Sequence, residues 1–128
     1  QLMQMHSYRG VLIEMDINRF DDLVTNTEAL NVVCLNRLVD FQPPNLLDEI
    51  LRETDLPHDF ALLSIDIDGD DYFVWQALHQ YTPKIVVIEI NVRNPPDLRQ
   101  VNQQRSSFVW GVSGTSASSM TELAHSKG

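Results

Sequence analysis

Four short apolar runs, each closing on polar or acidic residues, set the rhythm of this chain. Val11, Leu12 and Ile13 run into Glu14, Met15 and Asp16, and Asn31 to Leu35 runs into Asn36. Ala61 to Ile67 leads into an aspartate-rich turn, and Ile85 to Ile90 closes around Glu89 and Asn91. Short runs rich in Val, Ile and Leu predict buried strands. Between them the apolar period lengthens to that of helices. Asn18 to Ala29 predicts a helix, with Ile17, Phe20, Leu23 and Val24 sharing one face. Asn45 to Thr54 predicts a shorter one, with Leu46, Leu47, Ile50 and Leu51 turned inward and Pro43 and Pro44 before it. Asn45 is its expected N-cap, with Asp48 and Glu49 where the helix dipole favours acids. Asp70 or Asp71 starts a third helix that runs to Gln80, with Tyr72, Trp75, Ala77 and Leu78 available for packing. Tyr81, Thr82 and Pro83 end it.

Beyond Asn91 the pattern changes. Asn94 to Ser107 is polar, carries Pro95 and Pro96, and is long for a structureless connection, so it reads as functional or mobile. Phe108, Val109 and Trp110 read as a short strand or an anchor, and Gly111 to Ser119 is rich in Gly, Ser and Thr. Ser118 to Ser126 predicts a last helix, with Met120, Leu123 and Ala124 apolar. The resulting order predicts one α/β domain over the whole chain, with a mostly parallel, Rossmann-like sheet and helices on both faces. Right-handed crossovers bring the strand C-termini to one edge, where open α/β sheets bind ligands.

Composition narrows the partners. The 128 residues carry a formal net charge of -9, and the basic residues are scattered, which argues against binding a nucleic-acid backbone. The single cysteine, Cys34, excludes a disulfide within the chain and points to a reducing, cytoplasmic setting. No run is long and apolar enough to predict a membrane span, and Gln1 to Arg9 lacks the basic-then-apolar pattern of a signal peptide.

Four polar clusters are expected at the sheet edge: Glu14 with Asp16, Asn36, Asp66 with Asp68, and Glu89 with Asn91. A carboxylate ending the second parallel strand suits the ribose hydroxyls of a nucleoside ligand. A solvated loop or a helix cap is the plainer role for Glu14 and Asp16. The Asp66 to Asp71 stretch is not a calcium EF-hand loop, because Gly69 stands fourth and Ala77 twelfth. Asp66-Ile67-Asp68-Gly69 after a buried strand resembles haloacid-dehalogenase phosphatases, with Asp66 as nucleophile and Asp68 as general acid. Against that likeness, Asp70 replaces the usual Thr and strand patterns precede the motif. Asp66, Asp68 and Glu89 also offer hard oxygen ligands for magnesium or calcium. In the plainest reading, Asp66 or Asp68 braces loop backbone while Asp70 and Asp71 cap the helix. His6, His58, His79 and His125 show no ligand spacing, no Gly-x-Ser-x-Gly is present, and Gly111 to Ser116 lacks the ending of a phosphate loop.

The succession GVLIEMD, NVVCLN, LLSIDIDGDDYFVWQAL, KIVVIEIN and SGTSASSMTELAHSKG resembles class I S-adenosylmethionine-dependent methyltransferases, FkbM-type and related proteins in particular. The resemblance spans Tyr8 to Gly128 and is most specific in SIDIDGDDYFVWQAL followed by VVIEIN. It implies cofactor contacts from Glu14, with Asp16 as the alternative on the ribose, from Asn36 near the adenine, and from Asp66 near the methionine part. It implies a catalytic set of Asp66, Asp68 and Glu89, and an acceptor side lined by Asn91. The acceptor is expected to be a small molecule. No Gly-x-Gly precedes Gly10, so the chain reads as an internal piece whose first strand is missing, and homo-oligomerisation through an exposed strand edge is expected. Two other readings stand beside it: a non-catalytic assembly module that keeps the fold, and a magnesium-dependent phosphatase-like enzyme.

Overall fold

The computed structural model describes residues 8–102, 109 and 113–128. His6, and Phe108 and Trp110 of the expected short strand or anchor, lie outside them. The chain divides into two compact units, Gln1–Pro57 and His58–Gly128. Among the described residues there are four strands and four helices in strict alternation up to the fourth strand, with the last helix following. The class is α/β, built on short parallel strand pairs.

In the first unit, β1 (Gly10–Glu14) pairs in parallel with β2 (Val32–Asn36), in register from Gly10 opposite Val32 to Glu14 opposite Asn36. Parallel pairing needs a crossover, and α1 (Ile17–Thr27) supplies it, packing on both strands. Its inward stripe is narrower than the sequence suggests. Phe20, Leu23 and Thr27 are half-buried, while Ile17 and Val24 stay exposed. Ile17 belongs to the first turn beside the exposed Asp16 cap, and Thr27 holds the inward stripe by bonding its Oγ1 to the Leu23 carbonyl at 2.7 Å. Helix α2 (Leu47–Arg52) buries Leu47, Ile50 and Leu51. Asn45 does not cap it: Leu46 is the N-cap residue, and no side chain caps the helix. Asn45 is instead committed to the preceding turn, its N–H donating to Gln42 and its carbonyl accepting from Asp40.

In the second unit, β3 (Leu62–Ile65) and β4 (Ile85–Ile88) form another parallel pair, with Leu62 opposite Ile85 and Ile65 opposite Ile88. The crossover helix α3 (Asp71–Ala77) and the C-terminal α4 (Ala117–Lys127) pack on each other. The core is Phe60, Ile65, Val74, Trp75, Leu78, Tyr81, Met120 and Leu123, all buried. Each such large side chain contributes roughly 1.5–3 kcal/mol of burial before entropy is counted. The opposite face of the pair carries Leu62, Ile85 and Val87, at 46%, 58% and 54% exposure.

Helix α3 stops short of Gln80 because Leu78 turns extended. The ammonium of Lys127 then donates to the carbonyls of Gln76 and Leu78, at 3.4 and 2.7 Å, satisfying helix-end acceptors. Ahead of the strands, His58 stacks flat on Tyr81 with ring centroids 4.5 Å apart, and its carbonyl accepts from Thr82. No helix of the described residues is long and apolar enough to cross a membrane.

Candidate functional site

The strand ends of each unit carry the polar residues singled out by the sequence. In the first unit Glu14 closes β1 and is half-buried. Its Oε1 accepts from the Asp16 N–H at 2.8 Å. Asp16 is the N-cap of α1, its Oδ1 accepting from the N–H groups of Asn18 and Arg19 at 2.9 and 3.0 Å. Its carboxyl is held below the ordinary value chiefly by the Arg19 N–H, against an opposing desolvation, with the Asn18 N–H and the Arg19 charge adding. Asn36 closes β2 and donates through Nδ2 to the carbonyls of Glu14 and Met15, at 2.8 and 3.1 Å. Asn36 thus ties the two strand ends together.

Asp16 spends its oxygen on the cap. Glu14 Oε2 and Asn36 Oδ1 take part in no hydrogen bond among the described residues. Acceptors at the C-terminal edge of a parallel pair fit hydroxyl and amino donors of a nucleoside. Glu14 and Asn36 thus leave acceptor atoms open at this edge, and Asp16 is occupied as a cap.

In the second unit the chain leaves β3 and turns sharply. Asp68 takes a positive φ of 59° and Gly69 one of 132°. Left-handed backbone is readily tolerated by Gly and, among other residues, by Asp and Asn. Asp71, only 4% exposed, holds the turn from behind: its Oδ1 accepts from Ile67 N–H at 2.9 Å and its Oδ2 from Gly69 N–H at 3.0 Å. The sequence pattern predicts bracing by Asp66 or Asp68 and capping by Asp70 and Asp71. The structure reverses part of this, since Asp71 is the brace and Asp70, at the N-cap position, makes no side-chain cap bond. The order of four aspartates around one glycine is the signal that a turn is braced here, but it does not say by which.

The brace leaves Asp66 and Asp68 exposed, and they meet Glu89 just past the end of β4. One carboxylate oxygen from each lies within 4.8 Å of the others. Glu89 N–H donates to the Ile65 carbonyl at 3.3 Å, which extends the ladder and sets Glu89 beside the β3 exit. The Glu89 carboxyl is pushed up, first by desolvation and then by the charges of Asp71, Asp66 and Asp68. Three hard oxygen donors this close can hold a magnesium or calcium ion, or act on a bound molecule as acid and base.

Asn91 lies two residues beyond Glu89, half-buried, and its side chain is engaged within the chain. Its Nδ2 donates to the Ser113 carbonyl at 3.0 Å and its Oδ1 accepts from Arg93 N–H at 3.0 Å. Asn102, which the sequence did not single out, donates through Nδ2 to the Gly69 carbonyl at 3.2 Å. It sits in a polar stretch without periodicity, so no pattern marks it.

Comparison of the chain with protein-family models, curated proteins and solved structures returns no match.

Proposed function

We propose that this chain is an S-adenosylmethionine-dependent methyltransferase-like domain acting on a small-molecule acceptor. The observation that carries the reading is the gathering of Asp66, Asp68 and Glu89 at the C-terminal ends of a parallel, crossover-linked strand pair. The finer fold that goes with it is a Rossmann-like, mostly parallel sheet. When bound, the cofactor supplies an electrophilic methyl group. Asp66 and Asp68 would hold the methionine part and the acceptor. Glu89 takes the proton that the acceptor oxygen or nitrogen gives up, onto its carboxylate. A carboxylate whose pKa is raised is a better proton acceptor near neutrality than an ordinary one. Most of the rate advantage comes from orientation of the reacting atoms. Calorimetric titration with S-adenosylmethionine tests this: saturable binding weakened at least tenfold, about 1.4 kcal/mol, in Asp66→Ala is expected. A folded chain that binds none sinks the reading.

A second reading is favoured by the closeness of the three carboxylates, one oxygen of each lying within 4.8 Å of the others. A magnesium-dependent phosphatase-like enzyme would use the same Asp66 and Asp68. Magnesium-dependent hydrolysis of p-nitrophenyl phosphate, lost in Asp66→Asn, is its expected signature.

A further inference from the structure

The carboxylates that this reading puts to work stand on two separate strand exits. Asp66 and Asp68 flank the β3 turn, and Glu89 follows β4. The Glu89 N–H to Ile65 carbonyl bond ties the exits at their root. Like charges this close still repel one another, and the turns beyond that bond are not regular structure, so they need further ties. Residues 113–116, ahead of α4, are bonded to both. On the β4 side, Asn91 Nδ2 donates to the Ser113 carbonyl and Asn91 N–H to the Thr115 carbonyl, at 3.0 and 2.9 Å. Gly114 lies so near that a Cβ on it would come 3.1 Å from the Asn91 Cβ, and its φ of 110° suits glycine.

On the β3 side the link runs through residues 100–102. Ser116 N–H donates to the Gln100 carbonyl at 2.9 Å, and Gln100 N–H donates to Ser116 Oγ at 3.1 Å. Asn102 N–H reaches Thr115 Oγ1 at 3.5 Å, and Asn102 Nδ2 donates to the Gly69 carbonyl at 3.2 Å. Thr115 and Ser116 are buried, at 3% and 0% exposure, so these bonds are shielded from competing water. The same short segment thus grips the Glu89 exit through Asn91 and the Asp68–Gly69 turn through Asn102.

We propose that Asn102 and Asn91 are positioning residues that, through residues 113–116, set the spacing of Asp66 and Asp68 against Glu89. The proposal rests on the reading above that these carboxylates are the working groups. Neither asparagine touches the reacting atoms. Each acts through the backbone that carries a carboxylate.

Amide hydrogen exchange and side-chain carboxyl carbon shifts, measured at one pH on the full chain, test it. In the unsubstituted chain the Asn102 side-chain amide protons are expected to be protected. In Asn102→Ala, the Gly69 and Ile67 amides are expected to exchange about tenfold faster, with those of Ile65 and Ile88 unchanged. The carboxyl shifts of Asp66, Asp68 and Glu89 should move together, with that of Asp59 still. Asn102→Gln, which keeps an amide donor, should recover part of both effects. A mere loss of stability would speed exchange throughout and leave the carboxyl shifts alone. Rapidly exchanging Asn102 amide protons in the unsubstituted chain overturn the proposal even if Asn102→Ala does not fold. Unmoved carboxyl shifts in a folded Asn102→Ala overturn it as well. Failure to bind S-adenosylmethionine would remove the methyltransferase reading and leave these shifts and exchange rates to decide the brace.

Discussion

Asp71 Oδ2 accepts the backbone N–H of Gly69 at 3.0 Å, from a carboxylate that is itself only 4% exposed. Its partner oxygen takes Ile67 N–H at 2.9 Å, so one buried side chain organises the whole turn that exposes Asp66 and Asp68. Asp71→Ala would orphan these donors, and hydrogen bonds to charged groups are the expensive ones to lose. A loss of about 2–4 kcal/mol is expected in urea denaturation. Asp71→Asn keeps one acceptor and should lose less.

How much of this was legible beforehand follows from particular residues. The four apolar runs announced their strands, because Val, Ile and Leu in short bounded runs have few other uses. Helix ends were harder. Asn45 is a good capping type by composition, yet its backbone is spent on the turn with Asp40 and Gln42, which only the fold reveals. Glu14, Asp66, Asp68 and Glu89 were readable as strand-end acids. Which of them would meet depended on register, and Ile65 opposite Ile88 is what brings Glu89 to the aspartate turn. Asn102 had no legible role, since its partner is a backbone carbonyl far away in sequence.

Glu89 makes stability depend on pH in a definite sense. Its folded pKa lies above the ordinary glutamate value of 4.5. Between those two values the native state binds more protons than the unfolded chain, so stability increases as pH falls through the folded value and levels off below the unfolded one. At neutral pH the charged group is a net cost. Glu89→Gln should therefore stabilise the chain at pH 7 by less than about 1 kcal/mol, because the group is exposed and screened. It should also flatten the stability–pH profile above pH 4.5, read by thermal melts across a pH series.

Asp16 works in the opposite sense. Its folded pKa lies below the ordinary 3.8, so the stability it lends is present above that value and is lost as pH falls through the lower, folded one. Asp16→Ser retains a cap and removes that acid-side loss, whereas Asp16→Ala removes both. Exchange at the Asn18 and Arg19 amides distinguishes the variants: slow in the unsubstituted chain at neutral pH, fast in Asp16→Ala.

Gly114→Ala carries two penalties at once. A φ of 110° is strained for any L side chain, and the added methyl would meet the Asn91 Cβ at 3.1 Å. A destabilisation of about 1–3 kcal/mol is expected from the backbone alone. A melting curve that matches the unsubstituted chain would mean that Gly114 and Asn91 do not lie this close in solution.

The hold of Asp71 on Gly69 also bears on how the protein ages. Among aspartyl dipeptides Asp-Gly is the most open to succinimide formation, in which the glycine nitrogen attacks the side-chain carboxyl carbon of the preceding aspartate and leaves isoaspartate on hydrolysis. Asp68–Gly69 is such a pair, with its aspartate exposed. The attacking nitrogen, however, is fixed with its proton committed to a buried carboxylate. A nitrogen so held is a poor nucleophile and is turned to the wrong partner. The residue that shapes the turn is thereby also its chemical preservative, and a chain lacking the Asp71 carboxylate would convert one of its exposed acids to a kinked isomer on storage.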